Sequence, residues 1–326
     1  MINSDPHEFC IDLRLEEFIN TWSKPMTAEF KDYYSNASWQ KGMVFSLNYD
    51  YEKVPFWFIL PSEILSKFFK SDFSSENNMK FLHDSLWAQY CTFMFIRIKD
   101  DVIDSNEKNE LLILISDQFL FEAEETLHKY FEKDNSFWKI FYQLLKETTQ
   151  AMYEKANLEK LFQQSSDDII HFSGREASVL NIGTAAVCSK YNKLKEFQLL
   201  KKMTYHLVIS RQIIDDLFDI EEDLKIGKYN YAASVLFNKN LSEISNSTDA
   251  GKVLSKSTMN SEGINVLFDD INKSIEIAEL LAKLLELPLI ITLIANYRSY
   301  IIAIKNDFHA KRIEYFFENK HADLTK

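Results

Sequence analysis

Only 6 glycines and 5 prolines occur in 326 residues, and long stretches contain neither. Proteins built from strands and turns need these residues at their turns, so the scarcity argues for helices. Three cysteines, Cys10, Cys91 and Cys188, are too few and too widely spaced for a disulfide framework or a zinc site, which points to a reducing compartment. An excess of cations is missing too. With 49 acidic against 37 basic residues the net charge is −12, which excludes a nucleic-acid backbone as the natural partner but not a small anion held through metal ions. The first ten residues are polar and acidic, unlike a signal peptide. The longest mainly apolar run, 287–295, is far short of the roughly 20 residues that a spanning helix requires. A cytoplasmic protein with no membrane span is expected.

What the chain does have is an apolar content of 46 %, arranged at three- and four-residue spacings. This periodicity predicts helices over 12–23, 61–69, 79–104, 107–132, 136–155, 158–172, 174–191, 195–224, 264–285 and 289–317. Several are apolar nearly all round, as at 87–98, which marks helices surrounded by other helices. The segment 238–263, rich in Ser, Asn and Lys, reads as a solvated connector, the alternative being a flap over a site. Gly183, Thr184, Ala185 and Ala186 read as close helix packing, the alternative being a cavity wall.

Two acidic motifs carry the functional signal. The first is Asp100-Asp101-Val-Ile-Asp104, at the end of the apolar stretch 93–98. The second is Asp215-Asp216-Leu-Phe-Asp219, continued by Asp223 after the apolar stretch 207–214. Residues three and four apart share one helix edge, so each motif forms a file of like charges that repel one another. Arg97 and Arg211 sit one turn before the files and can offset a terminal carboxylate but not a whole file. Something more cationic belongs over each. Oxygen donors without His or Cys select magnesium, or manganese, and such ions leave coordination positions open for substrate phosphate.

At these residues the chain resembles the class I isoprenoid enzymes, the trans-prenyltransferases and the related terpene cyclases. The run from Gln212 through Asp219 to Gly227-Lys228 is similar to the second aspartate-rich motif of the prenyltransferases, and 100–104 is similar to the first. The resemblance covers 79–231 well and the termini poorly. It implies an all-α fold for residues 1–326, a single-domain orthogonal helical bundle around a central active-site cavity. It also implies a cluster of three Mg²⁺ (Mn²⁺ as the substitute) held by Asp100, Asp101, Asp104, Asp215, Asp219 and Asp223. The substrate it implies is an allylic isoprenoid diphosphate, gripped by Arg175, Gln212 and Lys228, with Asp100, Asp104, Asp215 and Arg175 as the catalytic set. Phe95 and Ile96, about one turn deeper than Asp100, would limit the length of the bound tail. A homodimer is compatible with the resemblance.

Chain-elongating members of this superfamily bind a second diphosphate through an N-terminal basic segment and an Arg pair after the first motif, and this sequence has neither. Without that co-substrate the allylic cation must cyclise, lose a proton or capture water. The expectation is therefore a terpene synthase, with its apolar pocket supplied by residues such as Trp57, Trp87, Phe93 and Phe95. The alternatives are a trans-isoprenyl diphosphate synthase and a catalytically inactive regulatory subunit of a prenyltransferase. Tyr297, Arg298 and Tyr300 resemble the Arg-Tyr pair of cyclases, though in a different order.

Overall fold

The computed structural model describes residues 9–37, 45, 54–68, 75–104, 109–161, 166–226, 230–237 and 261–324. The described residues form helices and turns and no strand. We number the helices α1 (Ile11–Ile19), α2 (Lys24–Asn36), α3 (Phe56–Phe68), α4 (Glu76–Asp104), α5 (Leu111–His128), α6 (Ser136–Leu161), α7 (Ser166–Glu176), α8 (Ile182–Lys190), α9 (Leu194–Ile226), α10 (Tyr231–Phe237), α11 (Ser261–Leu284) and α12 (Pro288–Leu324). A 3₁₀ turn, Ala177–Asn181, joins α7 to α8.

The two long inner helices, α4 and α9, contain no Gly or Pro over 29 and 33 residues. The α7–α8 segment is the hub, because its 3₁₀ turn packs against α4, α6 and α9. In α8 every residue from Ile182 to Cys188 is buried. Gly183 is what lets it lie so close to α4, since a Cβ there would stand 3.1 Å from the Ser85 carbonyl oxygen and from Gln89 Oε1. The small residues at 183–186 therefore serve helix packing, the first of the two readings.

Helix ends are fixed by backbone geometry. Asn192, in the left-handed region at φ 57°, lets the Lys193 amide donate to the Cys188 carbonyl and closes α8. Glu286, at φ 49°, does the same after α11. The next helix begins at Pro288, and its amides at Leu289 and Ile290 donate to the two oxygens of Glu63 on α3, at 2.7 and 3.2 Å. Glu63 thus caps a helix more than two hundred residues away. Burial raises its carboxyl above the ordinary value of 4.5, against the two amides and Lys67. A carboxyl with a raised folded pKa contributes most below its unfolded value and loses that contribution as pH rises through the folded value. The stability of Glu63→Gln relative to wild type should therefore increase as pH rises from about 4 toward 7, read by urea unfolding at several pH values. A pH-independent difference would remove Glu63 from the linkage.

Several helices differ from expectation. The helix α2 was not expected, because Phe30 is its one fully buried residue and its other apolar residues, Met26, Tyr33 and Tyr34, are only partly buried. Helix α3 starts at Phe56 rather than Pro61, the proline lying inside the second turn, where only one intrahelical bond is lost. The stretch expected as 136–155 runs on to Leu161, and α7 ends at Glu176 rather than Phe172. The seven residues of α10 are too few for periodicity to register. The expected connector at 238–263 lies outside the described residues up to 260.

Candidate active site

Along the second half of α4 the residues Phe93, Ile96, Arg97, Asp100 and Asp101 are partly exposed and Asp104 is fully so. Their spacing of three and four makes this one stripe, the edge on which the first file stands. Arg97 lies beneath it, donating to Asp100 Oδ2 at 3.3 Å and to Asp101 Oδ1 at 2.5 Å. Asp101 also accepts from the Tyr33 hydroxyl of α2 at 2.6 Å. Burial raises the Asp101 carboxyl, and Arg97 and Tyr33 pull it back. Asp101 is thus tied to α2 and to its own helix, whereas Asp100 keeps one oxygen away from Arg97.

The second file stands on α9. Asp215 is half exposed and pairs with Arg211 at 3.6 Å, and Asp219 is exposed one turn on. The surrounding protein raises the Asp215 carboxyl, with Arg211 opposing and Asp219 adding to the rise. Asp216 faces inward. It accepts from Gln212 Nε2 at 2.6 Å and from the Tyr231 amide of α10 at 2.9 Å, while Asn230 bridges its carbonyl to Asp223 at 2.6 and 2.8 Å. Burial pushes the Asp216 carboxyl up to about 6. Asp216 and Asp223 thereby fasten the start of α10 to α9, Gln212 holds Asp216 from within α9, and Asp215 and Asp219 form the outward part of the file.

Two residues that sequence reasoning missed lie between the files. Glu176, at the end of α7, is 18 % exposed and pairs with Lys155 of α6 at 3.4 Å. Burial raises its carboxyl, Lys155 opposes the rise, and the charges of Asp100 and Asp104 add to it. Lys155 in turn acts on Asp216. The charge of Lys155 thus acts on a carboxyl coupled to the first file and on one beside the second. The oxygen Oε1 of Glu176 is buried without a hydrogen-bond partner. The only sequence signal for this pair was position: Glu176 adjoins Arg175, and Lys155 closes a predicted helix.

The remaining expected residues are dispersed. Arg175 pairs with Glu154 on α6 and lies over the Phe172 ring at 4.7 Å, near Tyr205. Lys228 lies outside the described residues. Phe95 is buried under the Lys99 ammonium at 4.2 Å, and Lys99 pairs with Asp117 of α5, so Phe95 packs toward α5. Ile96 and Phe93 are on the stripe of the first file, and Phe93 packs on Trp57 with ring centroids 5.1 Å apart. Arg298 pairs with Glu279, and the buried Tyr297 hydroxyl lies near Ser210 and Asp215, its pKa raised to about 12 by burial.

Among the described residues no three His, Cys, Asp or Glu side chains converge closely enough to hold a metal ion as they stand. The donor set is nonetheless oxygen only, and Glu176 Oε1 is an unfilled acceptor beside the first file. Both features fit a hard divalent cation. No helix among the described residues is long and apolar enough to cross a membrane.

No family model and no curated protein matches the chain. Its structure is similar to that of a geranylgeranyl pyrophosphate synthetase from Pyrococcus horikoshii, with a TM-score of 0.58, 14 % identity, and coverage of 73 % of this chain and 85 % of that one. The chain has the fold of the trans-prenyltransferase-like class I isoprenoid enzymes.

Proposed function

We propose that residues 1–326 act as one class I terpene synthase domain that ionises an allylic isoprenoid diphosphate of C10 to C20. The observation that carries this reading is the pair of outward carboxylate files, Asp100–Asp104 on α4 and Asp215–Asp219 on α9, each with an arginine one turn before it, in this fold. Asp100 and Asp104 would hold metal on one side and Asp215 and Asp219 on the other, with Asp101, Asp216 and Asp223 holding the helices that present them. Magnesium held by these residues would neutralise charge developing on the leaving diphosphate. The carbon–oxygen bond breaks with its electron pair leaving on diphosphate, and the allylic cation ends by ring closure and proton loss, by proton loss alone or by water capture. Phe93 and Trp57 supply an apolar, π-rich wall about two turns below Asp100 that keeps water from the cation. Arg175 and Lys228 are assigned to the diphosphate, which requires Arg175 to exchange Glu154 for phosphate oxygens.

The cations near the first file support lyase chemistry over elongation. Arg97 is engaged by Asp100 and Asp101, and Lys99 by Asp117. A second diphosphate would have to be bound without them. Purified protein with magnesium and each C10 to C20 allylic diphosphate should release diphosphate and a hydrocarbon or alcohol with no isopentenyl diphosphate present. Release that depends strictly on isopentenyl diphosphate, with a product five carbons longer, would establish the elongating enzyme instead. Retention of a cytoplasmic, soluble form is part of the same proposal.

A further inference from the structure

A cavity of about 460 Å³ opens where the end of α3, the turn between α8 and α9 and the turn between α11 and α12 meet, and its lining includes no residue of either acidic file. Its floor is Ile64, Leu200, Leu285 and Leu287, all buried. Its charged lining is Lys67, Lys193 and Lys195 against a single carboxylate, Glu196. In a chain with a net charge of −12 this is a local excess of cations over an apolar floor. We propose that the cavity binds a single-chain amphiphile, with its aliphatic tail on the leucine floor and its anionic head, a phosphate or carboxylate, on Lys193 and Lys195. The volume lies within the range of about 300–1,000 Å³ usual for small-ligand sites.

The three ammonium groups are not equally occupied. Lys67 donates to the Leu285 carbonyl and pairs with Glu286 at 3.2 Å, so it caps the end of α11. Lys193 stands over the Phe68 ring at 5.3 Å, and its pair with Glu196 is long, at 3.7 Å, and half exposed, so it is readily exchanged for a stronger anion. Lys195 is exposed and has no ion-pair partner among the described residues. Two cations thus remain for a head group, beside a floor that only an aliphatic chain would cover. The cavity is also preformed. The Lys193 amide closes α8 on the Cys188 carbonyl at 2.7 Å, and the Leu287 amide closes α11 on the Ala282 carbonyl at 3.0 Å, so both corners are fixed before anything binds. Leu284 and Leu280, one turn apart on α11 and both about two-thirds exposed, continue the apolar surface outward from the lining, as a longer tail requires.

Leu200 precedes Asp215 by about 22 Å of helix, so the site is separate from the acidic files and does not rest on the metal-dependent reading. A free amphiphile fits better than a lipid surface, because Glu286, at 84 % exposure on the same corner, would face the anionic head groups of a membrane.

The test is isothermal titration of the full chain with dodecyl phosphate and dodecanoate, both below their micelle concentrations, beside inorganic phosphate and the neutral dodecyl maltoside. One anionic amphiphile should bind per chain, inorganic phosphate should not bind, and the neutral amphiphile should bind at least tenfold more weakly. The double variant Lys193→Gln/Lys195→Gln should keep its Tm and lose at least tenfold in affinity for dodecyl phosphate. Leu199→Trp, which fills the cavity from its wall, should lose binding as well, and the lysine variant decides the matter if this one does not fold. Saturating Mg²⁺ with inorganic diphosphate should leave the affinity unchanged. Wild-type affinity in the lysine variant, or equal affinity for the neutral amphiphile, would overturn the proposal. So would displacement by Mg²⁺ and diphosphate, which would put the amphiphile at the acidic files. Flotation with phosphatidylglycerol vesicles in the absence of any binding of free amphiphile would overturn it too, and assign this face to a membrane surface.

Discussion

Replacing Asp100 or Asp215 by alanine should lower turnover by several orders of magnitude while leaving the fold in place. The size of the effect follows from where charge develops. Cation stabilisation of a leaving diphosphate is the main catalytic contribution in such a reaction, and it is lost when a ligand of either file is lost. The survival of the fold follows from the local contacts. Without Asp100, Arg97 still donates to Asp101, which still accepts from Tyr33, so the link between α2 and α4 persists. Asp215 is half exposed and pairs only with Arg211 at 3.6 Å, an ion pair of the kind worth roughly 0–1 kcal/mol. Diphosphate release in single-turnover experiments, with circular-dichroism melts beside them, reads both halves. Full activity of either variant, or of wild type in EDTA, would rule out the metal files as the centre of the chemistry.

Why the files were legible and their link was not has a physical reason. A file of like charges is a local pattern, since residues three and four apart on one helix are neighbours wherever the helix goes. Sequence alone therefore located 100–104 and 215–223, and with them the helices that the fold places at its centre. It also marked α4 as an inner helix by the apolar stretch 87–98. Lys155 and Glu176 belong to two different helices, and nothing in their local sequence separates a cation between two files from any surface lysine. Arg175 was chosen by its distance from Asp215, and its direction was not legible: adjacent helical residues point about 100° apart, so Arg175 pairs with Glu154 while Glu176 pairs with Lys155. Phe95 was read by depth below Asp100, whereas direction around the helix decides what it touches: its neighbour Lys99 pairs with α5. Helix α2 was missed, and with it Tyr33, because a helix that buries one residue leaves little periodic signal.

Gln89→Met should produce the largest loss of stability of any single polar replacement considered, and its argument begins with a residue out of place. Gln89 is fully buried in the middle of α4, where its neighbours are apolar. Its Oε1 accepts from the Gly183 amide at 2.6 Å, and its Nε2 donates to the Val179 carbonyl at 3.2 Å. Those two backbone groups flank the point where α7 gives way through the 3₁₀ turn to α8, and a break in a buried helix leaves such groups without intrahelical partners. One side chain on α4 therefore satisfies both. Methionine keeps the length and volume but neither the donor nor the acceptor, so a buried amide and a buried carbonyl are left unpaired at about 1–3 kcal/mol each. Against a total stability of about 5–15 kcal/mol that is a large fraction, and the expected fall in Tm is on the order of 5–10 °C. The hub also carries Glu176, three residues before Val179, held on its other side by Thr148. With one of its two clamps gone the turn is looser, so turnover should fall at temperatures where the helical content of the variant is unchanged. Urea unfolding that places Gln89→Met within about 0.5 kcal/mol of wild type would show that water or a backbone shift replaces both bonds, and that the kink in α7–α8 is held by packing around Gly183 alone.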